Sequence, residues 1–180
     1  MVHKDSGYTP TPVISHAILT YNRGGRTNPA DGIVITPSHN GPDDGGFKYN
    51  PPHGGPADTG TTGWIERKAN ELLAGKNKEV RRMPVTKAVR AGTTHDHDYI
   101  TPYIEDLAHC VDLEIISTAG LKMGADAMGG SGLAFWEPLA DRYRLSIDLV
   151  AIQESVGNEF RKIFQCQVLR HGRAACSAGV

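Results

Sequence analysis

The run Gly32-Ile33-Val34-Ile35, followed at once by Thr36-Pro37-Ser38-His39-Asn40-Gly41-Pro42, restricts the fold more than any other stretch. A short β-branched run reads as a buried strand, and a segment of Pro, Asn and Gly cannot continue it. The chain must therefore turn sharply at the strand's carboxyl end, where open α/β sheets place their ligands. Ser38 is expected at the mouth of a cleft. A second strand follows over Gly46-Phe47-Lys48-Tyr49-Asn50, and Pro51-Pro52-His53-Gly54-Gly55-Pro56 breaks it. Glycine and proline crowd between Gly41 and Gly63, so a structured loop or tight hairpin region is expected there.

Helical patterns flank these strands. Residues 1–10 carry no periodicity and read as an extended entry. Thr11 as N-cap and Pro12 as first helical residue open a helix to about Tyr21, with Val13, Ile14, Ala17, Ile18 and Tyr21 on one face and Gly24-Gly25 as its stop. Thr61 or Thr62 caps a second helix, with Glu66 in its first turn; its stripe of Trp64, Ile65, Ala69, Leu72 and Leu73 is read as a core face, and Gly75 ends it. The stretch from Asn77 to Asp98 is irregular, with a short strand at Val80 to Met83 and a short helix at Val85 to Arg90. Thr101-Pro102 repeats the cap-then-proline signal before Tyr103, Ile104, Leu107, Ala108 and Val111. A helix from about Leu113 to Ala119 ends at Gly120. A strand within Leu121 to Ala127, a helix carrying Leu133, Trp136, Leu139, Ala140 and Tyr143, and a strand over Ser146 to Val150 make a βαβ unit with parallel strands. The fold class is α/β, a mixed sheet flanked by helices: an incomplete first domain over residues 1–119, the start of a similar second domain over 120–150, and an atypical tail over 151–180.

The totals exclude several classes. At 180 residues, 39% hydrophobic and 22% charged, the chain is long enough for one core, or one and part of another. No apolar stretch is long enough to span a bilayer, and Met1-Val2-His3-Lys4-Asp5 lacks a signal peptide's apolar segment. Cys110, Cys166 and Cys176 are odd in number and scattered, which suits a reducing compartment, so the cytoplasm is expected. A formal net charge of -1 with no long basic run gives nucleic acid no electrostatic footprint, and without a spanning stretch no membrane is expected as partner either.

Taken singly, the polar residues have plain readings. A serine in a Pro/Asn/Gly turn is usually a hydrogen-bonding turn residue, a strand lysine is usually a solvated charge, and a loop histidine can simply cap backbone groups. Asp43 and Asp44 read as a polar turn rather than metal ligands. His95-Asp96-His97-Asp98 imitates a metal site but reads as a solvated loop or helix start, and Cys166, His171 and Cys176 lack zinc spacing. Gly130-Ser131-Gly132 lacks the final glycine of a nucleophile elbow, since position 133 is Leu, and reads as close strand-to-helix packing.

Together, several segments change the weighting. From about Gly7 to Val150 the chain resembles the α-D-phosphohexomutase superfamily, in particular its bacterial phosphoglucomutases. The match is carried by Thr9-Pro10-Thr11-Pro12, the 32–40 segment, Gly45-Gly46-Phe47-Lys48-Tyr49-Asn50-Pro51-Pro52, Gly54-Gly55-Pro56-Ala57-Asp58 and Gly129-Gly130-Ser131-Gly132. That resemblance implies that Ser38 is phosphorylated and exchanges its phosphoryl group with a hexose phosphate through a bisphosphorylated sugar, so that glucose 1-phosphate and glucose 6-phosphate interconvert. It implies Lys48 as cation or proton shuttle and His39 as a partner of the phosphate or the loop. It also implies Mg²⁺, which would meet this chain through the phosphate on Ser38, with its remaining ligands elsewhere.

The resemblance has gaps. Gly41 stands where the family usually has Pro after Ser-His-Asn. The family's first strand, its arginine-bearing loop, its metal loop and its phosphate-binding domain find no counterpart, so a fragment, inactive alone, is expected. The likeness stops at Val150, and a misjoined reading frame would account for the tail, where only Phe160, Ile163, Phe164 and Val168 suggest a short helix. The alternative function is a non-catalytic fragment or pseudoenzyme that accepts phosphate or binds a partner. Its incomplete sheet predicts self-association.

Overall fold

A computed structural model describes residues 1–4, 7–25, 27–36, 44–127 and 130–149. Ser38, His39, Asp43 and the whole tail with Cys166, His171 and Cys176 lie outside the described residues. The chain divides into two compact units: Met1–Gly7, Thr11–Val34 and Phe47–Tyr99 form the first, and Tyr8–Pro10, Ile35–Gly46 and Ile100–Val180 the second. Small two-stranded sheets flanked by helices make up both, an α/β architecture.

The first unit is built on helix α1 (Thr11–Asn22) and strands β2 (Gly32–Ile35) and β3 (Phe47–Asn50), which pair with each other. Val13 and Ile18 of α1 are buried, and Gly24 and Gly25 end the helix with φ of 93° and 66°. Just beyond the strands, the Thr36 N–H donates to the Gly46 carbonyl at 3.0 Å. The end of β2 thus lies beside the start of β3, and the two run antiparallel. Strand alternation turns Gly32 and Val34 toward α1. Val34 is buried, and a Cβ on Gly32 would stand 2.9 Å from Ile14 Cγ2 and 3.0 Å from Ile18 Cδ1.

The expectation of a buried strand holds for one face of β2 and is corrected for the other. Ile33 is 64% exposed and Ile35 81%, because α1 covers only the side of β2 that carries Gly32 and Val34. The stripe on helix α2 (Thr59–Ala74) is corrected too. No α2 residue is buried, and Trp64 and Leu73 are each 61% exposed. The helix starts earlier than expected, since its cap is Asp58 rather than Thr61 or Thr62. The Asp58 carboxylate accepts from the Thr61 backbone N–H at 2.8 Å and its hydroxyl at 3.0 Å, and the backbone bond foremost holds that carboxyl below its ordinary value. Gly75 closes the helix as expected.

Two further readings fail in this unit. Residues 80–84 form no strand, and only α3 (Val85–Ala88) follows. The histidine-rich stretch is not a loop or helix start: the extended entry supplies strand β1 (Val2–His3), which pairs in parallel with β4 (Asp96–His97), with Val2 opposite Asp96 and His3 opposite His97. The Lys4 ammonium bridges Asp98 at 3.2 Å, and Tyr99, beside both imidazoles, is buried. Two-residue strands more than ninety positions apart leave no period to read.

In the second unit, α4 (Ile100–Asp106) takes Thr101 and Pro102 into its first turn rather than using them as a cap, and runs into a 3-10 turn at Leu107–His109. Asp112 caps α5 (Leu113–Thr118) by accepting from the Ile115 N–H at 3.0 Å. Strands β5 (Met123–Ala125) and β6 (Ile147–Leu149) lie parallel on either side of α6 (Leu133–Tyr143) in sequence, the expected βαβ unit. Ile104, Leu113, Ala125 and Phe135 are buried; Tyr103 meets Phe135 edge-on at 6.0 Å, and the Tyr143 hydroxyl donates to the Ile104 carbonyl at 2.9 Å.

Gly54 has φ of 77°, and an added Cβ would stand 2.8 Å from Leu19 Cγ and 3.0 Å from the Ser15 carbonyl. Gly54→Ala is therefore expected to destabilise the first unit by about 1–3 kcal/mol. Urea unfolding followed by circular dichroism checks this.

Candidate functional site

Lys48 is the sequence-predicted site residue that the structure describes. It sits on β3, exposed, on the same face as Asn50 two positions on. What fixes this strand end is polar. Asn50 is only 3% exposed, and its Nδ2 donates to the Gly54 carbonyl at 2.9 Å and to Ser15 Oγ at 3.1 Å. The Gly54 N–H closes the Pro-Pro turn on the Pro51 carbonyl at 2.8 Å. Asn22, at the end of α1, donates to the carbonyls of Ala30 and Pro52, both at 2.9 Å, and accepts from the Ala30 N–H at 2.7 Å. Two asparagine amides thus tie α1, the approach to β2 and the turn after β3 into one frame.

Beside Lys48 lies a cavity of about 480 Å³ within the first unit. Its wall includes Lys48, Asn50, Thr11, Ser15, Thr62 and Ile65. An ammonium, three hydroxyls and an amide over an apolar floor suit a small polar or anionic ligand. Thr11 and Ser15 were legible in the sequence only as helix residues; their spacing of four puts both on one face of α1, which was the available signal.

On the opposite face of β3, the Tyr49 hydroxyl donates to the Asp31 carboxylate at 2.8 Å. That bond, more than the partial burial or the charge of Asp31, raises the Tyr49 pKa above its ordinary value.

Other expected features resolve plainly. Asp44 is exposed, and Gly130-Ser131-Gly132 is a turn: the Gly130 N–H donates to the Ala127 carbonyl at 2.7 Å and Gly132 begins α6. Cys110 is exposed with a free thiol. Among the described residues, no group of three or more His, Cys, Asp or Glu side chains is placed to hold a metal ion. Nor is any helix among them long and apolar enough to cross a membrane.

Tyr49 carries a pH prediction. Its folded pKa is raised, so the bond to Asp31 contributes stability below the ordinary tyrosine range, and that contribution is lost as the pH rises through it. Alkaline unfolding is expected to begin at lower pH in Asp31→Asn, with Tyr49 titrating nearer its ordinary value in an ultraviolet tyrosinate titration.

Residues 2–75 match the family model described as phosphoglucomutase/phosphomannomutase, alpha/beta/alpha domain I. Over 150 residues the chain is 52% identical to a phosphoglucomutase of Komagataeibacter xylinus, covering 83% of this chain and 27% of that protein. It is 31% identical over 140 residues to phosphoglucomutase 1 of Saccharomyces cerevisiae, covering 70% of this chain and 23% of the yeast protein. With a phosphoglucomutase/phosphomannomutase of Thermococcus kodakarensis it shares 32% over 128 residues, covering 71% and 25% respectively. The chain spans about a quarter of the length of these curated relatives. Residues 2–75 thus correspond to the α/β/α domain I of phosphoglucomutase/phosphomannomutase, and the similarity to phosphoglucomutases extends over most of the chain.

Proposed function

We propose that this chain supplies the phosphoserine-bearing part of a phosphoglucomutase, an isomerase that interconverts glucose 1-phosphate and glucose 6-phosphate by intramolecular phosphotransfer. The carrying observation is the 52% identity to a phosphoglucomutase across most of the chain, including a strand, β2, that ends where the family's serine segment begins. In this reading phosphorylated Ser38 donates its phosphoryl group to the free hydroxyl of a hexose phosphate, the Ser38 Oγ–phosphorus bond breaking as the sugar oxygen–phosphorus bond forms; the bisphosphate then returns its other phosphate, Ser38 Oγ bonding to phosphorus as that sugar oxygen leaves. His39 contacts the phosphate or orients the segment. Lys48 supplies positive charge to the transferring oxygens or shuttles the hydroxyl proton. Catalysis of this kind is mostly alignment and charge placement, which suits a cation on a strand with a pinned end.

A metal cofactor belongs to the family reading, with Mg²⁺ the ion proposed. The described residues of this chain do not fit a metal, so this chain would meet Mg²⁺ only through the phosphate on Ser38, and no step above passes through it. The substrate is a hexose phosphate and the compartment the cytoplasm. In domain terms, residues 1–119 form part of domain I, 120–150 the start of domain II, and 151–180 a tail foreign to the family.

The test is a full-length chimera in which this segment replaces the matching part of the Komagataeibacter xylinus protein. Ser38→Ala is expected to lower turnover by about a thousand-fold or more, and Lys48→Met by about a hundred-fold, in a coupled assay for glucose 6-phosphate. Undiminished turnover in Ser38→Ala would remove the assignment. The isolated chain is expected to show no mutase turnover.

A second reading, a non-catalytic phosphate acceptor or binding fragment, is favoured by one observation: Ile33, Ile35 and Phe47 are each more than half exposed. Bare β-branched and aromatic side chains on a two-stranded sheet predict self-association. Sedimentation velocity of the chain should show concentration-dependent oligomers that Ile33→Lys/Ile35→Lys reduces; a monomer at all concentrations counts against it.

A further inference from the structure

The charge of the chain is unevenly placed. Residues 76–90 hold six Lys or Arg against the single Glu79, while the rest of the chain holds thirteen against nineteen acids. Lys76, Lys78, Arg81, Arg82, Lys87 and Arg90 are all exposed. None of the six forms an ion pair among the described residues; Glu79, the one local acid, instead adds to the field that favours the charged form of Lys68. Between these cations the apolar side chains are also bare: Met83 is 63% exposed, Val85 73% and Val89 60%. Val85 and Val89 are four apart at α3, so they share a face that nothing among the described residues of the unit covers.

We infer that residues 76–90 form a docking surface for an anionic phospholipid bilayer and act at the membrane surface without spanning it. Unpaired cations meet the headgroup phosphates, while Met83, Val85 and Val89 enter the acyl boundary. A lipid surface fits better than other polyanions. The segment has no aromatic side chain on which bases would stack, and α3 is too short to read a groove. An acidic protein partner would favour aromatic anchors seated in pockets, whereas these aliphatic residues are spaced singly. The neutrality of the whole chain hid this patch, because a net charge averages over faces that a surface meets one at a time.

The test is co-sedimentation of the purified chain with vesicles of phosphatidylcholine alone and of phosphatidylcholine mixed with phosphatidylglycerol. Binding is expected only to the mixed vesicles and should weaken as salt is raised. Arg81→Glu/Arg82→Glu should lower the vesicle affinity about thirty-fold or more. Met83→Ser/Val85→Ser should lower it by a smaller factor that salt does not change. Lys122→Glu/Arg142→Glu makes the same change in net charge elsewhere and should leave binding within about twofold of the unaltered chain. Circular dichroism confirms that each variant is folded. Equal binding to both vesicle types, equal loss in the Lys122/Arg142 variant, or binding to a single-stranded oligonucleotide without vesicle binding would each overturn the inference.

Discussion

The amide of Asn50 is the interaction on which the first unit's geometry rests. It is nearly sealed from water, so its donors must find partners inside the protein or cost the full desolvation of an unpaired amide. They find the Gly54 carbonyl and the Ser15 hydroxyl, one in the turn after β3 and one on α1. A single side chain therefore fixes where β3 ends, how the Pro-Pro turn bends and how closely α1 approaches. Glycine at position 54 is the other half of the device, because its left-handed backbone leaves no room for a Cβ against Ser15 and Leu19. Lys48, two residues before Asn50, inherits its position from this lock.

Where the sequence carried a local rule, the fold was readable. The bounds of β2 follow from a β-branched run ended by Pro, the start of α6 from the glycines before it, and β6 lies within the run Ser146 to Val150. The α2 start is ambiguous in the sequence because Thr61, Thr62 and Asp58 are all competent caps; the carboxylate reaches two Thr61 donors at once and wins. The pairing of β1 with β4 was unreadable for a different reason: it joins two-residue strands from the two ends of the unit, and its support is tertiary, from Tyr99 and the Lys4–Asp98 bridge.

Burial was the least legible property. A stripe on α2 and a β-branched strand both announce apolar faces, and pattern alone does not say whether a partner is present to cover them. In this chain Ile33, Ile35, Trp64 and Leu73 remain in water. Of the candidate site, the motif identified Lys48 and its strand, whereas the cavity beside it, shared with Thr11 and Ser15 from α1, needed the fold. Ser38 and His39 rest on the family resemblance and lie outside the described residues.

The proposed chemistry reduces to one covalent event, the transfer of phosphorus to a particular hydroxyl. The most direct measurement is phosphosite mapping by mass spectrometry after the full-length chimera has been incubated briefly with a labelled hexose bisphosphate. The account predicts label on Ser38 alone, and its release to added glucose 1-phosphate or glucose 6-phosphate. Label on another residue, or a Ser38 peptide that stays unmodified while the sugars still interconvert, would contradict it.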